Sequence, residues 1–284
     1  MIKNVLLVGL GGVGALYASK IPNIKVLVDE SRLNYYKNNP TVINGKRYEF
    51  DYITSKDVFF PDLIIIATKF YDLDAVISNI KPFIKKNTII LSLINGISSE
   101  DILQKSFPYA TIVPSYVICN SIVRNNRKII HDDINKIVLD NNKELIQFFA
   151  KNNINHEISD DIKSAMWKKF MLNIVVNQFS AVTGMNFGQI NSLAYKNILF
   201  RKILYEVIQI AKAEGINNAE LLVDEVLILI DKFAGYGKTS MLQDIENNRQ
   251  TEIDAFAGTI IKLGQKYNID TPYNNLFYYL LASK

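Results

Sequence analysis

The chain has 284 residues, 49% of them apolar and 21% charged, with 32 Lys and Arg against 28 Asp and Glu for a net charge of +4. That balance excludes a disordered chain, which needs less apolar content and more net charge, and the length suits one large or two modest domains. No stripe of Lys and Arg accompanies the small positive charge, so nucleic acid is not an expected partner, and the excess only mildly favours an anionic ligand.

Met1-Ile2-Lys3-Asn4 runs directly into apolar residues 5–8, so the N-terminus reads as a first strand and not as a secretion signal. Gly9-Leu10-Gly11-Gly12-Val13-Gly14 follows at once, fits G-x-G-x-x-G, and opens a helical run through Ala15, Leu16, Tyr17 and Ala18. There Gly9 permits a tight turn, Gly11 lets the backbone approach a pyrophosphate, and Gly14 lets helix and strand pack closely. The helix start offers its N–H groups to an anion. The loop is therefore expected to bind a dinucleotide.

Residues 26–28 read as a second strand, and Asp29 stands at its end, where such a fold places the acid that reads the ribose. A carboxylate there favours the free 2′-hydroxyl of NAD and repels the 2′-phosphate of NADP. Arg32 behind it, and Lys69 after the third main strand, offer a phosphate two cations, so spacing alone leaves the cofactor open.

Asn44-Gly45 between β-favouring runs predicts a type I′ turn in a small antiparallel insertion over residues 41–52. Residues 63–67 and 88–93 are β-branched and nearly continuous, as in strands buried on both faces, and Ile112-Val113 and Val117-Ile118 extend that series. Helical spacing, as in Leu73, Val76, Ile77 and Ile80, lies between them and implies a parallel sheet covered by helices. Asn95-Gly96 follows the fourth main strand at the end where open α/β sheets bind ligands. The single cysteine, Cys119, excludes an intrachain disulfide and fits a reducing compartment. The apolar runs 63–67 and 226–230 fall far short of the ~18 residues of a membrane span. A cytoplasmic location without a membrane partner is the expectation.

After about Asn155 the strand-like runs disappear, and the rest reads as long helices with loops near Gly184, Gly215 and Gly235. The expected fold is an α/β Rossmann-type parallel-sheet domain followed by an all-α C-terminal domain. The first, over residues 1–158, would bind the dinucleotide, and the helical one, over 159–284, would carry substrate and catalysis. The groove between them is the default ligand site.

Lys169, Asn173 and Asn177 recur at i, i+4 and i+8 in an otherwise apolar helix, within an arc of ~80°. A buried unsatisfied amide costs on the order of 1–3 kcal/mol, so these groups need partners, which a polar network between helices or a ligand can supply. Ser240 with Gln243, and Thr251 with Asp254, fit two capping boxes and predict two helices with a break near Asn247-Asn248. On one straight helix Ser240 and Glu252 would lie ~18 Å apart, whereas a break can turn both toward one small ligand.

Taken in order, the glycine loop, Thr68-Lys69, Asn95-Gly96, Trp167-Lys168-Lys169 with Asn173 and Asn177, Ser240-Met241-Leu242-Gln243-Asp244 and Thr251-Glu252-Ile253-Asp254 resemble the ketopantoate reductase (2-dehydropantoate 2-reductase) family over the whole chain. The resemblance implies reduction of 2-dehydropantoate to (R)-pantoate with NADPH, on the route to pantothenate and coenzyme A. It implies Lys169 as general acid and Asn173, Asn177 and Ser240 as substrate holders. Asn95, Lys69 and Glu252 would contact the cofactor or the edge of the site, Glu252 near the substrate hydroxyl. Two positions depart from the family pattern. Asp29-Glu30 stands where the family often has a basic residue, which keeps NAD open. A substrate-contacting asparagine of the family falls at Phe187, beside Asn186. The competing readings are a reductase of another small 2-keto acid and a dinucleotide sensor without chemistry. The apolar stretch 221–230 can serve a homodimer interface or the core. His131 and His156 show no metal-ligand spacing.

Overall fold

A computed structural model describes residues 1–124, 127–233 and 235–282. The chain divides into two compact units, Met1–Asn95 with Ser99–Ile162, and Gly96–Ser98 with Lys163–Lys284.

The first unit is built on a six-stranded sheet. Its strands are β1 (Val5–Val8), β2 (Lys25–Leu27), β5 (Asp51–Ile53), β6 (Leu63–Ile66), β7 (Ile89–Ser92) and β8 (Thr111–Val113), in the order β5-β2-β1-β6-β7-β8. Every neighbouring pair is parallel. Side chains alternate between two cores: Val5, Leu7, Leu63 and Ile65 enter one, and Leu6, Val8, Ile64 and Ile66 the other. Burial on both faces is why these strands are apolar without interruption. Helices α3 (Leu73–Ile80) and α4 (Ser99–Ser106) cover the second face.

A second sheet, not read from the sequence, covers the first face. Strands β9 (Ser115–Arg124) and β10 (Lys128–Leu139) pair antiparallel, and β11 (His156–Ile158) and β3 (Thr41–Ile43) flank β10 in parallel. The expected turn is present. β3 and β4 (Lys46–Tyr48) form a hairpin around Asn44 and Gly45, both with positive φ, at 46° and 80°. Three expectations are corrected here. The hairpin is a working part of this second sheet. Val117 and Ile118 belong to β9 and not to the parallel series. One short strand, β11, follows Asn155. Strand β10 was missed because polar residues interrupt its apolar pattern and one of its partners, β3, is distant in sequence. Helix α1 (Gly12–Ala18) sends Ala15, Leu16, Tyr17 and Ala18 into the core shared with Val5 and Leu7 of β1 and with Ile129 and Ile137 of β10. Helices α2 (Glu30–Asn38) and α5 (Lys143–Lys151) complete the unit.

The second unit contains α6 (Ile162–Thr183), α7 (Phe187–Asn191), α8 (Lys196–Ala213), α9 (Ala219–Asp231), α10 (Ser240–Glu246), α11 (Thr259–Tyr267) and α12 (Pro272–Leu281). A π-helical turn, Asp254–Gly258, leads into α11. Trp167, Phe170, Ile174, Val207, Val226, Met241 and Phe256 share one core. Most of the apolar stretch on α9 is core, while Leu221 and Ile228 are exposed. Among the described residues no helix is long and apolar enough to cross a membrane.

The N-terminus of α12 is capped from another helix. Glu206 of α8 accepts hydrogen bonds from the backbone N–H of Tyr273 at 2.6 Å and of Asn274 at 3.2 Å, and from Asn274 Nδ2 at 2.7 Å. Burial pushes the Glu206 carboxyl up from 4.5, although the three donors oppose it. The folded chain thus holds this proton more tightly than the unfolded one. The associated stability is fully present below pH 4.5 and is lost as the pH rises through the raised value.

Two stability measurements test these contacts. Glu206→Ala leaves three donors without their acceptor and is expected to lower the unfolding free energy by about 2 to 4 kcal/mol in urea titration. Gly14→Ala would place Cβ 1.9 Å from the Gly9 carbonyl oxygen, a clash between backbones. It is expected to lower stability by about 3 kcal/mol in the same assay.

Candidate active site

The strand order reverses direction between β1 and β6, and the glycine loop sits at the C-terminal end of β1, beside that switch. Gly9 has φ +94°, and a Cβ on it would meet the Ala67 carbonyl oxygen at 2.6 Å and Thr68 Cγ2 at 2.8 Å. Only glycine fits there. A Cβ on Gly11 would meet nothing within 4 Å, so the space over the loop is open to a ligand. Leu10 lies between them, and Gly12 and Val13 begin α1.

A pocket of about 640 Å³, open mouth included, extends from this loop, within the range of small-molecule sites. Asp29, Arg32 and Tyr36 line it from one side, and Thr68, Asp72 and Asn79 from the other. Thr68 Oγ1 is buried without a hydrogen-bond partner, which fits a site that receives a polar group. Asp29 precedes α2, and its side chain makes no cap hydrogen bond with it; its Oδ1 accepts from Asn79 Nδ2 at 3.3 Å. Arg32 donates to Tyr36 Oη at 3.0 Å and lies over the Tyr36 ring at 5.1 Å. Thr68 belongs to the Thr68-Lys69 motif, whereas Tyr36, Asp72 and Asn79 were not found from the sequence. The last two lie 43 and 50 residues beyond Asp29, and no local pattern joins such positions. Lys69 follows Thr68 and is half-buried, and Asn95, the last residue of the first segment of this unit, is also half-buried. Neither lines the pocket.

In the helical unit, Lys169, Asn173 and Asn177 all lie on α6. Lys169 and Asn173 are half-buried, and Asn177 is buried. Asn177 Nδ2 donates to Asn173 Oδ1 at 3.1 Å. The neighbouring lysine has a different role: Lys168 Nζ pairs with Glu225 of α9 at 2.8 Å. Gln178, on the same helix, turns into the core and joins Asn274 at 3.2 Å.

The two capping boxes expected over residues 240–254 are corrected. Thr239, not Ser240, caps α10, accepting from the Leu242 N–H at 3.2 Å. Ser240 is the exposed first residue of the helix, and its hydroxyl is not used in the cap. Thr251 caps no helix, because the chain enters a π-helical turn after Ile253. The predicted break is present at Asn248, with φ 51°, and Arg249 closes it by donating from Nε to the buried Asp244 carboxylate at 2.9 Å. Glu252 follows, 2% exposed. Phe256, four residues on, packs against Phe170 of α6 with ring centres 6.3 Å apart, which anchors the Glu252 turn beside the lysine helix.

The Asn186 side-chain oxygen is used in a helix cap. It accepts from the Gln189 N–H at 3.0 Å, while Gln189 Oε1 accepts from the Asn186 N–H at 2.9 Å, a reciprocal cap on α7. Phe187 packs against Phe233 with ring centres 4.6 Å apart and the rings tilted by 42°.

Two family models match the chain: Ketopantoate reductase PanE/ApbA over residues 5–144 and Ketopantoate reductase PanE/ApbA C terminal over residues 161–284. The chain is 24% identical to the 2-dehydropantoate 2-reductase of Streptococcus pyogenes serotype M6, over 99% of this chain and 97% of that one. It is 29% identical to the enzyme of that name from Lactococcus lactis, over 78% of this chain and 75% of that one. Among solved structures, D-mandelate dehydrogenase with NADH and anilino(oxo)acetate shares the fold with a TM-score of 0.88 at 24% identity, covering 99% and 98% of the two chains. A dimeric ketopantoate reductase from Staphylococcus aureus does so at 0.82 and 22%, with the same coverage.

The open space over Gly11 generates a test. With φ −83° and ψ −160°, Gly11 has a backbone that alanine adopts without strain. Gly11→Ala is expected to keep the wild-type thermal midpoint while weakening NADH and NADPH binding by about tenfold, read by fluorescence titration.

Proposed function

The chain belongs to the ketopantoate reductase family of NAD(P)H-dependent oxidoreductases, and on that premise we propose that it reduces 2-dehydropantoate to (R)-pantoate, with Lys169 as the proton donor. The product would feed pantothenate and coenzyme A synthesis. The observation that carries this reading is the polar face of α6, where Lys169, Asn173 and Asn177 interrupt an apolar helix.

Bound NAD(P)H supplies the hydride to the carbonyl carbon. The residues of the glycine loop, with Asp29 and Arg32, would hold the dinucleotide, and Lys69, Asn95 and Glu252 would contact it at the edge. As the carbonyl π electrons move to oxygen, the Lys169 ammonium stabilises the developing alkoxide and then gives it a proton. One hydride and one proton are consumed for each 2-hydroxy acid formed. Asn177 occupies the Asn173 carbonyl and leaves the Asn173 amino group to donate. Asn173, Asn177 and Ser240 would thus grip the substrate's carboxylate and hydroxyl and present one carbonyl face. Ser240, at the start of α10, adds the favourable helix dipole for an anion. Glu252 would accept from the substrate hydroxyl. A homodimer, the state named for the Staphylococcus aureus protein, is part of the proposal, with the exposed Leu221 and Ile228 of α9 as its apolar contacts.

A second reading concerns the substrate. Phe187 packs on Phe233 where the family resemblance places a substrate-contacting asparagine, and Asn186 is committed to its cap. That apolar pair favours a 2-keto acid with a branched or aryl side chain over one carrying a hydroxyl.

Lys169→Ala is expected to lower kcat by about a thousandfold with unchanged nucleotide affinity, whereas Lys168→Ala stays within about twofold of wild type. Near-normal turnover by Lys169→Ala would remove that lysine from proton transfer. Nucleotide oxidation with 2-dehydropantoate beside branched and aryl 2-keto acids decides between the two substrate readings by kcat/KM.

A further inference from the structure

Two aspartates line the nucleotide pocket at the starts of helices, Asp29 in the extended backbone before α2 and Asp72 as the last residue of a helical turn, Phe70–Asp72, that runs into α3. Asp29 precedes α2, Asp72 precedes α3, and neither side chain accepts from its own helix. An N-cap aspartate normally takes the N–H of the second or third helical residue, a contact worth about 1 kcal/mol. Asp29 makes no such contact and lines the pocket, and Asp72, in helical backbone, lines the same pocket. Asn79, the residue before the last of α3, donates to Asp29 Oδ1 at 3.3 Å and holds that carboxylate in the pocket. Across the pocket, desolvation lifts the Asp72 carboxyl, the Arg32 guanidinium pulls it down, and the Asp29 charge pushes it up again, so the three groups act on one another through the pocket. Arg32 is the one cation among the described lining residues, and it is already engaged by Tyr36 through a hydrogen bond and the ring face. Two carboxylates against one guanidinium leave these walls with a net negative charge. The Asp29 carboxylate lies 20 residues after Gly9, at the end of β2, the position from which an acid accepts the ribose 2′-hydroxyl.

We propose that Asp29, aimed by Asn79 and reinforced by Asp72, makes this chain select NADH over NADPH. Asn79 is thereby a positioning residue, and Asp72 adds repulsion toward a 2′-phosphate. The inference rests on the dinucleotide reading of the glycine loop but not on the identity of the keto acid.

The test is direct binding of NADH and of NADPH, titrated by nicotinamide fluorescence without keto acid, on the wild type and on Asp29→Ser, Asn79→Ala and Asp72→Asn. The wild type is expected to bind NADH about tenfold more tightly than NADPH. Asp29→Ser abolishes that ratio. Asn79→Ala narrows it about threefold by weakening NADH more than NADPH, with an unchanged thermal midpoint. Asp72→Asn strengthens NADPH binding and leaves NADH as it was. Equal or tighter binding of NADPH by the wild type overturns the proposal while leaving the proposed reduction intact, and so does an Asn79→Ala ratio equal to that of the wild type. Failure to bind either nucleotide overturns both.

Discussion

Helix α1 leaves strand β1 with the two backbones in contact. A methyl group at Gly14 would stand 1.9 Å from the Gly9 carbonyl oxygen, and one at Gly9 would meet the Ala67 carbonyl oxygen at the end of β6. The ends of two neighbouring strands and the start of a helix therefore converge without side chains between them. This close approach seats Ala15, Leu16, Tyr17 and Ala18 in the core shared by both sheets. It also leaves the pocket open at the reversal of strand order, where the carboxyl ends of the strands diverge. The nucleotide reading of the first unit depends on that geometry.

Helix ends in the chain differ in how their polar residues are used. Asn142, Asn186 and Thr239 accept from the N–H groups of their own helices. Glu206 performs the same task for α12 from a different helix. Asp29 stands at an equivalent position before α2, and its side chain does not. Ser240 is relieved of the duty by its neighbour Thr239. The same difference runs along α6. Lys168 closes an ion pair and Gln178 joins a buried amide network, while Asn173 and Asn177 pair with each other on the face that carries Lys169.

Much of this was legible from local pattern. Strands β1, β6 and β7 were found within a residue or so of their ends, because burial on both faces demands uninterrupted apolar residues. The Asn44-Gly45 turn was found because two consecutive positive φ angles admit few residue types. The second sheet was not found. Its long strands β9 and β10 carry mixed sequences, and β10 joins β3, some 85 residues away, through backbone hydrogen bonds that leave no mark on side-chain pattern. The capping residue of α10 was misassigned by one position, since Thr239 and Ser240 are both good caps and only the backbone turn chooses between them.

Local sequence was sufficient for the glycine loop, the helical spacing of Lys169, Asn173 and Asn177, and the acid at the end of β2, because each depends on residues a few positions apart in one element. Folding decided what lies opposite them. Asn79 reaches Asp29 across 50 residues, Asp72 joins Arg32 in one pocket, and Phe187 meets Phe233. Such pairs form between elements whose separation in the chain carries no periodic signal, so their partners are set by the packing of helices and sheets and not by neighbouring residues.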